Sequence, residues 1–265
     1  MITFPNIKIN LGLYITGKRE DGFHNLISCF YPVNWCDILE IVPASAFEFI
    51  QTGIQIPGSI EDNLCVKAFN LLRDRHSIPN VRIHLHKIIP MGAGLGGGSA
   101  DASFTLKCLN DIFHLGLEIH VLESYAGELG SDCAFFIKNE AAIASSRGEI
   151  LEKFDINLKG KYILIICPEI HVSTKQAFAN IKPEIYSSNF KQILINRTNW
   201  RENLANQFED SIFPLHPTLS EIKNQFYNNG AFYASMSGSG SAIFGLFDKE
   251  PNFTLDNYTS YKAIL

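Results

Sequence analysis

Paired cysteines, basic runs and long apolar stretches are all missing from this chain. Its six cysteines (Cys29, Cys36, Cys65, Cys108, Cys133 and Cys167) are scattered over 265 residues with no C-x-x-C spacing, which argues against a zinc site or a disulfide frame and predicts reduced thiols. Lys and Arg number 22 against 27 Asp and Glu, giving a formal charge of −5 with no basic run. Neither a nucleic-acid surface nor an anionic-membrane surface is therefore expected. The longest aliphatic stretch, Ile163 to Cys167, is far too short to cross a bilayer. The opening Met1-Ile-Thr-Phe-Pro-Asn6 has neither the basic nor the apolar region of a signal peptide. A cytoplasmic location is expected, and the N-x-T sequons at Asn196, Asn252 and Asn257 are read as chance. No internal repeat or low-complexity tract is visible. What remains is an ordinary globular composition, 46% hydrophobic and 18% charged, sufficient for one or two domains.

Glycine, by contrast, is concentrated in one place. Gly92, Gly94, Gly96, Gly97 and Gly98 fall within seven residues of the segment Pro90 to Ser103. Such density costs conformational entropy, so it is expected where backbone turns sharply or approaches a ligand closely. Successive N–H groups in a loop that runs into a helix N-terminus form a nest for anionic oxygens, and a nucleotide polyphosphate is the simplest partner. Gly92-Ala-Gly94-Leu-Gly-Gly97 satisfies G-x-G-x-x-G, but the stretch from Thr105 reads as helix and Glu118 follows no β-branched run, so the dinucleotide context is missing. A Walker A loop is excluded because no lysine precedes Ser99.

Periodicity supplies the surroundings. Val81–Ile89 alternates like a half-buried strand ended by Pro90, and Ser99 or Asp101 is expected to cap a helix running through Leu109. His84 and His86 share the polar side of that strand and are read as solvated rather than as a metal pair. Phe4–Tyr14 alternates with Ile7, Ile9, Leu11 and Leu13 on one face and Lys8, Asn10 and Gly12 on the other. Further strands are expected over Tyr31–Ile41, Phe47–Ile50, Ala141–Ser145 and Lys161–Pro168. Helices are expected from Asp62-Asn63 through Leu72, over Ile119–Leu129 ending at Gly130, and near Thr174–Asn180, Asn203–Ile212 and Leu219–Asn229. A second small-residue turn, Met236-Ser-Gly-Ser-Gly-Ser241, lies between two apolar runs. Helices and strands intermix in both halves, which favours an α+β fold, with a domain boundary near residue 155.

Four segments together resemble the GHMP small-molecule kinases. They are Lys8-Ile-Asn10-Leu-Gly-Leu-Tyr-Ile-Thr-Gly17 followed by Asp21-Gly-Phe-His24, then Pro90–Ser103, Leu129-Gly-Ser-Asp132-Cys-Ala-Phe-Phe136 and Ser237–Ser241. The glycine loop matches the superfamily at large. The opening segment with Asp21–His24 resembles the branch whose acceptor is a cytidine-diphosphate sugar alcohol on the non-mevalonate route to isoprenoids, where tyrosine is usual in place of Phe23. The alternatives are a related kinase of homoserine, mevalonate or a sugar, and a non-catalytic nucleotide-binding protein on the same fold.

The resemblance implies two domains, 1–155 with a ribosomal-protein-S5-domain-2-like fold and 156–265 with a ferredoxin-like fold, and a site in the cleft between them. It implies transfer of the ATP γ-phosphoryl group to a C2 hydroxyl. Lys8 and Asp132 are the implied catalytic pair, with Asp132 orienting the acceptor hydroxyl and Lys8 offsetting developing charge. Pro90, Met91, Gly92, Ala93, Gly94, Leu95, Gly96, Gly97, Gly98, Ser99 and Ala100 are implied to hold ATP. Mg²⁺ is expected with the phosphates, its protein ligands unassigned. Asn10, His24, an aromatic from Phe23 or Phe178, and Phe30 are implied to receive the acceptor, with His24 reading the base edge. A monomer or weak homodimer is expected. From spacing alone, Asp132 reads as a helix cap ahead of any chemical role, and it is the resemblance that reverses this order.

Overall fold

The computed structural model describes residues 1–179, Ile181, Pro183 and 189–265. Helices and strands intermix along the chain and gather into two compact units. The first comprises Met1–Ile7, Asn34–Met91 and Gly96–Glu140, and the second comprises Lys8–Val33, Gly92–Leu95 and Ala141–Leu265.

In the first unit, strands Ile2–Thr3, Ile38–Pro43, Val81–Lys87 and Glu48–Gly53 form a sheet in that order. Its last pair is parallel and the others antiparallel. Leu39, Ile41, Val81, Ile83 and Leu85 pack against Phe69, Leu72, Leu106 and Leu109, residues of the helices Leu64–His76 and Gly97–Ile112. The Asn63 side chain caps the first of these helices by accepting from the Cys65 N–H, and the helix Ile119–Leu129 ends at Gly130, as its spacing predicts. His84 and His86 both meet Thr52 Oγ1, at 2.9 and 2.8 Å, so the neighbouring strand supplies their partner. Among the described residues no group of three His, Cys, Asp or Glu could hold a metal ion.

The second unit is built mostly on two four-stranded sheets. One orders Asn6–Lys18, His24–Cys36, Ala142–Ser146 and Ile150–Lys153; the other orders Tyr233–Met236, Ile243–Phe247, Tyr162–Cys167 and Thr259–Ile264. Leu164, Ile166, Ile243 and Phe247 share a core with Phe208, Ile212, Leu219, Ile222 and Phe226. The last five lie on the helices Phe208–Ile212 and Pro217–Asn228.

Three expectations are corrected here. The strand Asn6–Lys18 is buried on both faces over its first ten residues, because paired polar groups, not water, cover its Lys8–Asn10–Gly12 side. Neither Ser99 nor Asp101 caps a helix: the helix starts at Gly97, and Gly96 occupies the cap in the left-handed conformation. The expected helix Asn203–Ile212 is two helices, Trp200–Asn203 and Phe208–Ile212. Between them the chain leaves helical hydrogen bonding to pair with strand residue Leu13, whose N–H donates to Ala205 O and whose carbonyl accepts from Gln207 N. The helix at Thr174 runs to Phe178, and the expected end at Asn180 lies outside the described residues. All six cysteines are free, and no described helix is long and apolar enough to cross a membrane.

Candidate active site

In the second unit the glycine loop is held by its carbonyls. Ala93 O accepts from Ala242 N at 3.1 Å and Leu95 O from Lys8 N at 3.0 Å. Gly94 O accepts from Ser237 Oγ at 2.9 Å and from Lys8 Nζ at 3.3 Å. Three consecutive loop carbonyls are thus engaged by the Ser–Gly turn and by Lys8. Met91 and Gly92 form a hydrogen-bonded turn, and beyond it, among the described residues, the structure shows no backbone acceptor for the N–H groups from Gly94 to Ser99. A loop with occupied acceptors and unpaired donors is the electrostatic requirement of an anion nest.

Lys8 is the junction of this cluster. Its side chain is 2% exposed, and its ammonium donates to Asn10 Oδ1 at 2.6 Å and stands 4.7 Å from the Phe30 ring centroid. Asn10 Nδ2 donates to Ser28 Oγ, which in turn donates to Gly12 O. Burying an ammonium demands such partners. Lys8, Asn10, Phe30, Gly94 and Ser237 are therefore brought together.

The turn that grips the loop is itself gripped. Asn206 Nδ2 donates to Met236 O and Gly238 O, while Asn206 Oδ1 accepts from Phe208 N. Glu209 Oε1 accepts from Met236 N and Ser235 Oγ. Sequence reading missed Ser28, Asn206 and Glu209. Their polar side chains sit beside large apolar residues at positions that only long-range contacts bury.

The aromatic residues divide into two groups. His24 stacks on Phe178 with centroids 4.7 Å apart and planes at 19°, and Phe208 meets the Phe178 ring edge-on at 4.8 Å. Phe23 stands apart from that stack, 55% exposed, with the Arg147 guanidinium 5.2 Å from its ring centroid.

In the first unit, the helix Gly97–Ile112 begins directly in the loop and carries Ser99, Ser103 and Lys107 on one face, spaced four residues apart. Ser103 Oγ donates to Cys133 O at 2.7 Å, and Lys107 Nζ donates to Phe136 O at 3.0 Å. That face therefore anchors the segment bearing Asp132. Asp132 occupies a tight turn closed by Cys133 N donating to Gly130 O. The short helix that follows, Phe135–Lys138, takes Ala134 as its cap residue, so Asp132 does not have the capping role its spacing also allowed. Burial pushes the adjacent Cys133 thiol up to about 11, with the Asp132 carboxylate adding to the shift; this cysteine is inert near neutrality.

Beneath the helix start lies a feature that sequence reading passed over. Lys87, in register with Val81, Ile83 and Leu85 on the buried side of its strand, ion-pairs with both Asp37 and Asp101. Its signal was a lysine on the apolar face of an otherwise alternating strand.

Comparison with known proteins places these features in a family. Residues 63–140 match the GHMP kinases N terminal domain and residues 188–254 match the GHMP kinases C terminal domain. A 4-diphosphocytidyl-2-C-methyl-D-erythritol kinase of Cytophaga hutchinsonii is 45% identical over 100% of this chain and 99% of its own length. The protein of that name from Bacteroides thetaiotaomicron is 52% identical over 94% of this chain and 93% of its own. A crystal structure of 4-(cytidine 5'-diphospho)-2C-methyl-D-erythritol kinase aligns with a TM-score of 0.79 at 31% identity, covering 93% of this chain and 90% of that one. A homoserine kinase from Cytophaga hutchinsonii shares the fold, with a TM-score of 0.70 at 19% identity.

Proposed function

The chain belongs to the GHMP kinases, and from that membership we propose that it transfers the γ-phosphoryl group of ATP to the C2 hydroxyl of 4-diphosphocytidyl-2-C-methyl-D-erythritol. The observation that carries this reading is the full-length similarity to relatives bearing that kinase name, joined to a loop whose carbonyls from Ala93 to Leu95 are occupied and whose N–H groups from Gly94 to Ser99 find no backbone acceptor among the described residues. Phosphoryl transfer asks a protein chiefly to position two substrates and to offset charge. Backbone donors from Gly94 to Ser99 suit the phosphates. The buried Lys8 ammonium, fixed by Asn10 and Gly94, suits the charge that develops as the acceptor oxygen attacks, with Asp132 orienting that hydroxyl.

Mg²⁺ fits this chain as a companion of the nucleotide rather than as a resident ion. No described cluster of three protein ligands exists, and Mg²⁺ commonly keeps waters and substrate phosphate oxygens as its ligands. When bound, it would neutralise phosphate charge.

The His24–Phe178 stack suits recognition of a planar base, through a ring face and a two-sided hydrogen-bonding edge. Phe178→Ala is expected to raise the KM for the cytidine substrate roughly tenfold, as loss of one base–aromatic contact implies, with the KM for ATP unchanged. Equal effects on both substrates would remove Phe178 from the acceptor site. Coupled ADP release tests the function itself. Turnover is expected with the cytidine-diphosphate acceptor and not with homoserine or mevalonate. Turnover with either control instead would assign the chain to another branch, and ATP binding without turnover on any acceptor would mark a binding protein.

A further inference from the structure

Asp37, Lys87 and Asp101 are all buried and lie where the glycine loop leaves its strand and enters its helix. Asp37 Oδ1 accepts the N–H groups of Ile88 and Ile89, at 2.6 and 2.9 Å, immediately before Pro90. Its other oxygen accepts from Lys87 Nζ. The same ammonium reaches Asp101 Oδ2 at 2.7 Å, one turn into the helix that follows the loop. A Cβ placed on Gly97 would sit 3.1 Å from Lys87 Nζ and 3.0 Å from an Ile89 methyl. One ammonium therefore connects the chain entering the loop with the chain leaving it.

The two carboxylates are not equivalent. Asp37 accepts three hydrogen bonds, whereas Asp101 Oδ1 has no hydrogen-bond partner among the described residues. An unpaired buried carboxylate oxygen is costly, so Asp101 is the member driven toward its protonated form. Burial pushes Asp101 up to about 7, against the pull of Lys87 and with the Asp37 carboxylate adding to the rise.

We infer that the Asp37–Lys87–Asp101 triad positions the nucleotide loop, and that the charge carried by Asp101 sets how tightly the loop holds polyphosphate. The inference rests on the loop being the ATP site. With Asp101 protonated the triad is neutral; with Asp101 ionised it carries one buried negative charge beside a nest for anions. Affinity for ATP then falls as pH rises through neutrality. The titratable groups facing Asp101 are Lys87 from the strand, Asp37 from the segment before Ile38–Pro43, and Cys65 from the helix Leu64–His76. Burial, with the Asp101 carboxylate beside it, raises the Cys65 thiol far above neutrality, so it contributes no charge change in this range.

Two variants test the inference by steady-state kinetics and by calorimetric titration with MgADP. Asp101→Asn keeps the shape and the acceptor for Lys87 but is neutral at every pH. The ratio of wild-type to Asp101→Asn KM for ATP is expected to climb roughly three- to tenfold from pH 6 to pH 8.5, the scale of one unit charge acting at an effective dielectric of about 20. Protonation of ATP itself cancels in that ratio. The triple variant Asp37→Leu, Lys87→Met, Asp101→Leu removes the ionic tie while filling the space, a replacement that buried ion triads often tolerate. Folded, it is expected to bind MgADP at least about tenfold more weakly with kcat changed far less, a positioning effect. Parallel pH profiles for wild type and Asp101→Asn would overturn the charge role, and wild-type MgADP affinity in the folded triple variant would overturn the positioning role. MgADP titration needs no acceptor, so an error in the proposed acceptor leaves this test intact. MgADP binding by the wild type that Gly97→Val leaves unchanged would instead show that the loop is not the nucleotide site.

Discussion

Asp132→Ala is expected to lose between about 10² and 10⁴ in turnover, the range a positioned acid–base group contributes, with little change in the KM for ATP. Asp132 sits on a short turn whose following residues are held in place by the helix Gly97–Ile112, through Ser103 to Cys133 O and Lys107 to Phe136 O. Removing the carboxylate therefore leaves the backbone around it intact, and the loss is confined to the chemical step. Lys8→Ala is expected to show a comparable fall in kcat and, in addition, a several-fold rise in the KM for ATP, because the same ammonium that would face the acceptor also bonds the Gly94 carbonyl. Steady-state kinetics with each substrate varied in turn separates the two patterns. Near-normal turnover in Asp132→Ala would remove this residue from the chemistry.

A single methyl group at Gly94 is expected to be as damaging as loss of either charged residue. The residue has φ of +75°, and a Cβ there would lie 1.9 Å from the Ser237 carbonyl oxygen and 3.1 Å from Gly240 N. The contacts are backbone atoms, which cannot swing aside, and the Ser237 turn is pinned by Asn206 from below. Gly94→Ala must therefore push the loop away from the turn or fail to fold. We expect a loss of about 2–4 kcal/mol in stability, at the upper end for point changes, and a fall in Tm of about 5–15 °C. ATP affinity in whatever remains folded should drop at least about a hundredfold, the order of a misplaced positioning group. Gly98→Ala is the control. Nothing lies within 4 Å of a Cβ at Gly98, and its φ is not positive, so alanine at this helical position should leave Tm unchanged or raise it. A thermal melt of both variants and an ATP titration of Gly94→Ala decide the matter; equal melting of the two variants would contradict the close approach.

How much of this was legible in the sequence depends on whether the signal was local. The glycine loop, the helix ending at Gly130 and the cap at Asn63 are written in consecutive residues, and they appear where their spacing puts them. Lys8 was legible as a residue but not as a buried one. Alternation over Phe4–Tyr14 set Lys8 and Asn10 opposite an apolar face without showing that their own face is covered, whereas the structure buries both faces and satisfies Lys8 and Asn10 with each other. Asp101 misled in the opposite direction. Its place in the first turns of a helix suggested a cap, but Lys87, fourteen residues away in sequence, claims its carboxylate. The break between Asn203 and Phe208 shows the same limit. No local signal announces it, because the competing partner is a strand nearly two hundred residues earlier.

The engagement of the Ala93, Gly94 and Leu95 carbonyls also bears on how this protein could be inhibited and how it could escape inhibition. A compound that grips the loop through its main-chain donors reads almost no side-chain identity there. Substitution, the usual route to resistance, has little room to act. Gly94 admits no Cβ and Gly97 admits one only against Ile89 and Lys87, while Ala93 and Leu95 are already buried in the fold. An acceptor-rich inhibitor aimed at this backbone would leave the target few single-residue changes that keep it both folded and able to bind its own nucleotide.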